Sequence, residues 1–359
     1  MPSKWPGRHG ILGSYPLRIG ILAVAWFLFI AGAHYGLNME HDGRPVVTMG
    51  YMPVITNLAA PILDYASISK KNPVRYRALK FSSFAEMAEA LRNNEIQAAF
   101  IIAPLAIVLR QQGENVKVVY IGNRHESTLV VRHDLNARTL AELAGRTIAV
   151  PMRYSGHFLV IHKLLAEAGM EGKVNVVEMN PPDMASALAS GALDAYFVGE
   201  PFAAQTLKSG SSDLFFRVAD VAPDFICNLL LVQQQFIDRH PDTVRQMVQG
   251  AIRSGLWAQQ NIPEAARIAS QYWGQPLELV KYAMETPKDR IVFDRYLPVE
   301  AEMKEMADLM VRFKLLKTGS VSGLIESRFA RQADLTGIDG VESILAVRSP
   351  GNGNGSSPK

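Results

Sequence analysis

The sequence predicts an α/β protein of two similar lobes. Three observations point there: short β-branched runs alternate with helical patterns, one helix-turn-strand unit occurs twice, and the chain beyond Val232 is almost wholly helical in pattern. The runs are Val46-Val47-Thr48-Met49, Phe100-Ile101-Ile102, Val116-Lys117-Val118-Val119-Tyr120, Thr147-Ile148-Ala149-Val150 and Val174-Asn175-Val176-Val177. Strands separated by helices imply parallel sheets with helices on their faces.

The repeat is the more specific signal. At a constant offset of 97 and without a gap, Met87, Ala88, Ala90, Leu91, Ile96, Ala98, Phe100 and Pro104 face Met184, Ala185, Ala187, Leu188, Leu193, Ala195, Phe197 and Pro201. Both copies read as an amphipathic helix, a polar turn, a buried strand and a proline in the first turn of the next helix. The run Ser127-Thr128-Leu129-Val130-Val131-Arg132 leaves the first lobe and the run ending at Val232 returns to it. Two crossings make a hinge, and a cleft between open α/β sheets is where ligands lie. Lobe 1 is expected at 44–128 with 229–330, and lobe 2 at 129–228. The segments 241–260, 262–273, 276–284 and 298–316 each start at or beside Pro or Asp, carry apolar residues at three and four spacing, and should pack on lobe 1. Trp257 and Trp273 fall on apolar helical faces and read as core.

Composition narrows the partners. The 359 residues hold 37 Lys and Arg against 34 Asp and Glu, a net charge of +3. Lys4, Arg8 and Arg18 precede any acid, so without residues 1–33 the chain is neutral and offers no general basic field for nucleic acid. Cys227 is the one cysteine, which excludes an internal disulfide and any Cys-based metal site; in its apolar run it reads as a buried, inert thiol.

The amino terminus has the layout of an export signal. A basic start leads into the apolar run Ile19–Ile30, followed by Ala31-Gly32-Ala33 and a cut after Ala33. An uncleaved membrane anchor is the alternative, because the run approaches the about 20 residues that span a bilayer. Residues 346–359, rich in Gly, Asn and Ser, are expected to be disordered.

Five stretches carry a resemblance: Gly50-Tyr51-Met52-Pro53, Ala98-Ala99-Phe100-Ile101-Ile102-Ala103-Pro104, Ser127-Thr128-Leu129-Val130-Val131, Ser155-Gly156-His157 and, most distinctive, Asp194-Ala195-Tyr196-Phe197-Val198-Gly199-Glu200-Pro201-Phe202. Together they resemble the NitT/TauT family of ABC-transporter substrate-binding proteins, which serve nitrate, bicarbonate, sulfonates, taurine and related solutes. The resemblance covers about residues 45–330. It implies the type II periplasmic-binding-protein fold, a periplasmic monomer with no cofactor, and delivery of a small ligand to an inner-membrane permease with its cytoplasmic ATPase. It implies no particular solute.

In that topology strand-ending loops face the cleft, which names the candidates. Lobe 1 offers Tyr51, Thr56, Asn57, Ser82, Ser83 and Pro104; lobe 2 offers Arg153, Ser155, Gly156, His157, Asn180 and Glu200. Free amides at the helix start after Val150, the Ser155 hydroxyl, and Gly156 allowing close approach make an anion cradle, to which Arg153 or His157 could add charge. A side chain at 156 is then expected to cost affinity and not stability. Each has a second reading: Thr56, Asn57, Ser82, Ser83 and Ser155 as helix caps, Arg153 as solvated, and Glu200, which would repel an anion, foremost as a hinge organiser.

An enzyme on the same fold, of the thiamine-precursor or menaquinone type, is the rival class. It would need a nucleophile, an acid/base or a metal set held together. His157 and His162 are five apart, off the spacing that puts two ligands on one helical face, and a cysteine-rich signature is absent. The expectation is therefore a receptor and not an enzyme.

Overall fold

The computed structural model describes residues 15–38 and 43–346; Lys4, Arg8 and the tail from 347 onward lie outside the described residues. Residues 1–44 and 45–359 form separate units. In the first, α1 (Tyr15–Asn38) is one helix that runs through Ala31-Gly32-Ala33, and its span Tyr15–Tyr35 is long and apolar enough to cross a membrane.

The second unit holds two mixed five-stranded sheets. Lobe 1 begins with β1 (Val46–Tyr51), α2 (Ala59–Ser67), β2 (Arg75–Lys80), α3 (Phe84–Arg92), β3 (Ala98–Ile102), α4 (Ala103–Gln111) and β4 (Val116–Ile121). Residues 122–126 cross to lobe 2, which contains β5 (Ser127–Arg132), β6 (Thr147–Val150), α5 (Gly156–Glu167), β7 (Asn175–Glu178), α6 (Pro181–Ala189), β8 (Ala195–Gly199), α7 (Phe202–Ser209), β9 (Ser212–Arg217) and α8 (Val218–Val221). Residues 222–227 return to β10 (Asn228–Gln233) of lobe 1, and α9 (Gln234–Arg239), α10 (Pro241–Gln260), α11 (Ile262–Trp273), α12 (Leu277–Glu285), α13 (Glu300–Arg312) and α14 (Arg328–Arg331) follow.

The strand order is β2-β1-β3-β10-β4 in one sheet and β7-β6-β8-β5-β9 in the other. In each, three parallel strands meet an antiparallel fourth, and that fourth is the strand that has just crossed from the other lobe. The repeat read from sequence lands residue for residue: α3 and α6, and β3 and β8, are each 97 positions apart at both ends. Every residue of β3 and β8 is buried, which explains why they read as unbroken apolar runs and not as alternating ones.

Packing follows the same plan. Leu63, Val248, Ile252, Ile268 and Trp273 join α2, α10 and α11 into one apolar cluster on lobe 1, where each fully buried large side chain contributes about 1.5–3 kcal/mol. Gly250 and Gly255 let α10 approach closely, since a Cβ there would meet Leu63 at 2.6 Å and Phe293 at 2.7 Å. A second cluster crosses between lobes, with Met52, Ile101 and Ile102 on one side, Val130, Tyr196 and Val198 on the other, and Met303 and Ala307 of α13. Arg253, buried in α10, donates to the carbonyls of Asp334, Thr336, Gly337 and Ser343 and so binds the C-terminal segment to the helix. The helix expected at 298–316 is shorter, because Lys314 turns left-handed at φ 60° and Leu315 N–H closes back on the Met310 carbonyl.

Candidate functional site

The sequence-named residues separate into four places. Tyr51 and Pro104 belong to the core of lobe 1: the Tyr51 hydroxyl donates to the Tyr272 carbonyl at 3.3 Å, and burial pushes its phenol well up from the ordinary range. Pro104 is buried in the first turn of α4.

At the mouth between the lobes, Ser83 and Asn180 line a cleft of about 380 Å³ together with Phe84, Pro151, Met152, Glu178 and Met179. Ser82 is exposed beside it. Ser83 caps α3 by accepting from Glu86 N–H at 3.5 Å, whereas Asn180 precedes α6 without capping it through its side chain. Symmetry places them here, since both stand just before the duplicated helix. Arg153 is exposed, and its Nε donates to Glu178 Oε1 at 2.7 Å while its backbone N–H donates to Glu178 Oε2 at 2.9 Å. This cation is thus already paired with Glu178, a carboxylate of the same lobe that lines the cleft.

The start of α5 is not open as the sequence suggested. Ser155 accepts from Phe158 N–H at 3.1 Å, which uses one free amide, and a Cβ on Gly156 would meet the Phe225 ring at 2.5 Å and the Ile226 carbonyl at 3.3 Å. Close approach at Gly156 is made by the returning crossing. The expectation that a side chain there leaves stability unchanged is therefore corrected. His157 is 2 % exposed, wedged between Phe197 and Phe225 at ring separations of 4.8 and 5.4 Å. Burial drives its pKa down to about 3, so the ring is neutral and supplies no positive charge. Its Nε2 lies 3.0 Å from Ser127 Oγ, and its Nδ1 has no hydrogen-bond partner among the described residues.

Thr56, Asn57 and Glu200 meet in a buried polar network under the hinge. Thr56 Oγ1 donates to the Asn123 carbonyl at 2.9 Å; Asn57 Nδ2 donates to Met52 and Phe100 carbonyls, and its Oδ1 accepts from Asn228 Nδ2 at 2.8 Å. Neither caps α2, whose N-cap is Leu58. Glu200 accepts from Thr128 Oγ1 at 2.9 Å and from Ala204 N–H at 2.7 Å, pairs with Arg290 at 3.1 Å, and its carbonyl accepts from Ile55 N–H at 2.8 Å. Its own N–H donates to Glu126 Oε2 at 2.6 Å. A side chain on Gly199 would strike that same Glu126 carboxyl at 2.9 Å. Burial raises the Glu126 carboxyl to about 8, against the opposing pull of the Glu200 amide and Arg290, so it holds its proton at neutral pH. Burial, reinforced by Glu126, also pushes the Cys227 thiol well up, and it stays inert.

Asn123, Glu126, Asn228 and Arg290 were missed in the sequence. The polar run Asn123-Arg124-His125-Glu126 between two apolar strands was a usable signal for the first two; Arg290 lies in the irregular stretch 286–299, which carries no period. Among the described residues no group of His, Cys, Asp and Glu could hold a metal ion. The Ser127–His157 pair is sealed from water.

Solved structures share this architecture. The ligand-binding component of an ABC-type import system from Staphylococcus aureus, with zinc bound, aligns with a TM-score of 0.70 at 20% identity over 82% of this chain and all of that one, 100%. The periplasmic nitrate-binding protein NrtA of Synechocystis PCC 6803 aligns at 0.69 and 16% identity over 80% of this chain and 88% of its own. In sequence, a Bacillus subtilis (strain 168) protein assigned to aliphatic sulfonates binding is 22% identical over 335 residues, 88% of this chain and 96% of that protein. Residues 41–272 match the NMT1-like family over well over half the chain, and the protein belongs to that family.

Proposed function

We propose that this protein is the exported solute-binding component of an ABC importer, which closes its two lobes on a small anion and delivers it unchanged to an inner-membrane permease. The observation that carries the reading is the 380 Å³ cleft set between corresponding strand-ending loops of two duplicated lobes, one side bearing Ser83 and the other Asn180. A ligand gripped by both halves favours the closed arrangement, which is how such a fold couples binding to recognition by a partner. The relatives assigned to sulfonates and nitrate support an anion. His157 is neutral and Arg290 is buried on Glu200, so we assign the ligand's cation to Arg153, which neighbours the cleft through Met152 and Glu178 and must trade Glu178 for the ligand.

Calorimetry of the chain lacking residues 1–33 against nitrate, bicarbonate, taurine and alkanesulfonates, beside mass spectrometry of whatever copurifies, tests this. Saturable binding of one anion without turnover supports it. A neutral or cationic copurifying molecule, or its chemical conversion, would sink it. The apolar α1 fits either an export signal or an anchor in the inner membrane, and export places the two lobes in the periplasm.

A further inference from the structure

The stretch 286–299 belongs to lobe 1. Ile291 and Phe293 pack in its core, Phe293 N–H donates to Gln259 of α10 at 3.1 Å, and the Tyr296 carbonyl accepts from Ile121 N–H at the end of β4. Yet from this anchored strap Arg290 reaches into lobe 2. One Nη pairs with Glu200 at 3.1 Å; the other donates to Thr128 Oγ1 and to the Glu126 carbonyl. The strap also grips the first crossing, because Asn123 Nδ2 donates to the Arg290 carbonyl and Asn123 Oδ1 accepts from Val292 N–H at 2.9 Å.

The strap's far end holds both crossings together. Arg124 binds Glu302 of α13 through both carboxylate oxygens, at 3.0 and 2.8 Å, and donates to the Asp224 carbonyl at 3.2 Å. Arg295 pairs with the Asp224 carboxylate at 2.7 Å and with Glu302 at 3.2 Å. Residue 124 is on the outgoing crossing and 224 on the returning one, so the chain after α12 contacts both arms of the hinge.

We propose that residues 286–302 are a clasp across the hinge, in which Arg290, held by lobe 1, grips Glu200 of lobe 2 and sets how readily the lobes part. The inference rests on the lobe-closing reading above but not on the ligand's identity or charge. Rotation about the two crossings alone would leave Arg290 on lobe 1 and carry Glu200 and Thr128 away with lobe 2. Opening therefore has to separate a buried ion pair, and it breaks the Ile55 to Glu200 backbone bond with it.

Amide hydrogen exchange of the ligand-free chain lacking residues 1–33 tests this without knowledge of the solute. The variants are Arg290→Met, which leaves Glu200 uncompensated, and the double variant Arg290→Met/Glu200→Gln, which removes both charges and keeps the buried site neutral. The double variant is expected to melt cooperatively, to exchange at least tenfold faster in peptides covering Ile55 and residues 200–204, and to keep wild-type exchange in β1 and β2. Small-angle scattering should show a larger radius of gyration. Wild-type exchange at Ile55 and at 200–204 in a folded double variant, or acceleration spread evenly over both sheets, would overturn the clasp. A chain that binds no anion yet shows the local acceleration refutes the proposed function and leaves the clasp standing.

Discussion

Asn228 Nδ2 donates to Asn57 Oδ1 at 2.8 Å, and this amide pair fastens the strand returning from lobe 2 to the loop that ends the first strand of lobe 1. Both residues are buried, and the other end of Asn57 is taken up by two backbone carbonyls, so its orientation is fixed. Replacing Asn228 by Leu leaves the Asn57 carbonyl oxygen buried without a donor, which costs about 1–3 kcal/mol. A fall in the urea midpoint with unchanged slope is the expected result; an unchanged midpoint would mean water satisfies the site.

The Arg153–Glu178 pair is exposed, with Glu178 on the wall of the cleft, so it contributes little to stability and can control ligand charge. Glu178→Gln frees the guanidinium and should raise affinity for the bound anion several-fold, most at low salt. Arg153→Ala should lower it by about tenfold, the loss of one charge-assisted contact. Calorimetry at two ionic strengths decides. Equal affinities in all three proteins would place the anion elsewhere.

Gly156 is held against Phe225, with room for no side chain. Gly156→Ala should destabilise the protein by about 1–3 kcal/mol through overpacking, and Phe225→Leu in the same chain should recover part of that loss. Thermal melts of the two variants measure it. Full stability in Gly156→Ala would show that the 222–227 crossing moves aside freely.

The architecture was legible because it is written twice: the pattern from Met87 to Pro104 and its copy 97 residues later mark the same helix and strand in each sheet. The helices at 241–260 and 262–273 were equally plain, since proline starts and apolar spacing are local signals. The site was harder to read. Ser155 and Gly156 look identical in sequence whether an anion or a phenyl ring covers them, and Phe225 is 69 positions away from Gly156. Glu200 read as a hinge organiser or a ligand contact; its engagement depends on Arg290, whose irregular segment gives no sequence reason to reach lobe 2.

His157 and Glu126 lie within one buried polar neighbourhood and pull stability in opposite directions with pH. The His157 pKa is lowered from 6.5 to about 3, so between those values the unfolded chain binds a proton that the folded chain refuses. Stability supplied by the neutral ring is present above pH 6.5 and is lost as pH falls through that window, by about 1.4 kcal/mol per unit. The Glu126 pKa is raised from 4.5 to about 8, so there the folded chain holds a proton that the unfolded chain releases, and stability falls as pH rises from 4.5 to 8. From 4.5 to 6.5 the two slopes oppose each other; below 4.5 only the His157 loss remains, and from 6.5 to 8 only the Glu126 loss. Glu126→Gln keeps the shape of the protonated acid and should flatten the alkaline side, while His157→Phe should flatten the acid side below pH 4.5. Urea midpoints of the three proteins from pH 3.5 to 8.5 measure both limbs. An acid limb of the same steepness in His157→Phe would assign the acid loss to other groups, and an alkaline limb surviving in Glu126→Gln would likewise assign the alkaline loss to groups other than Glu126.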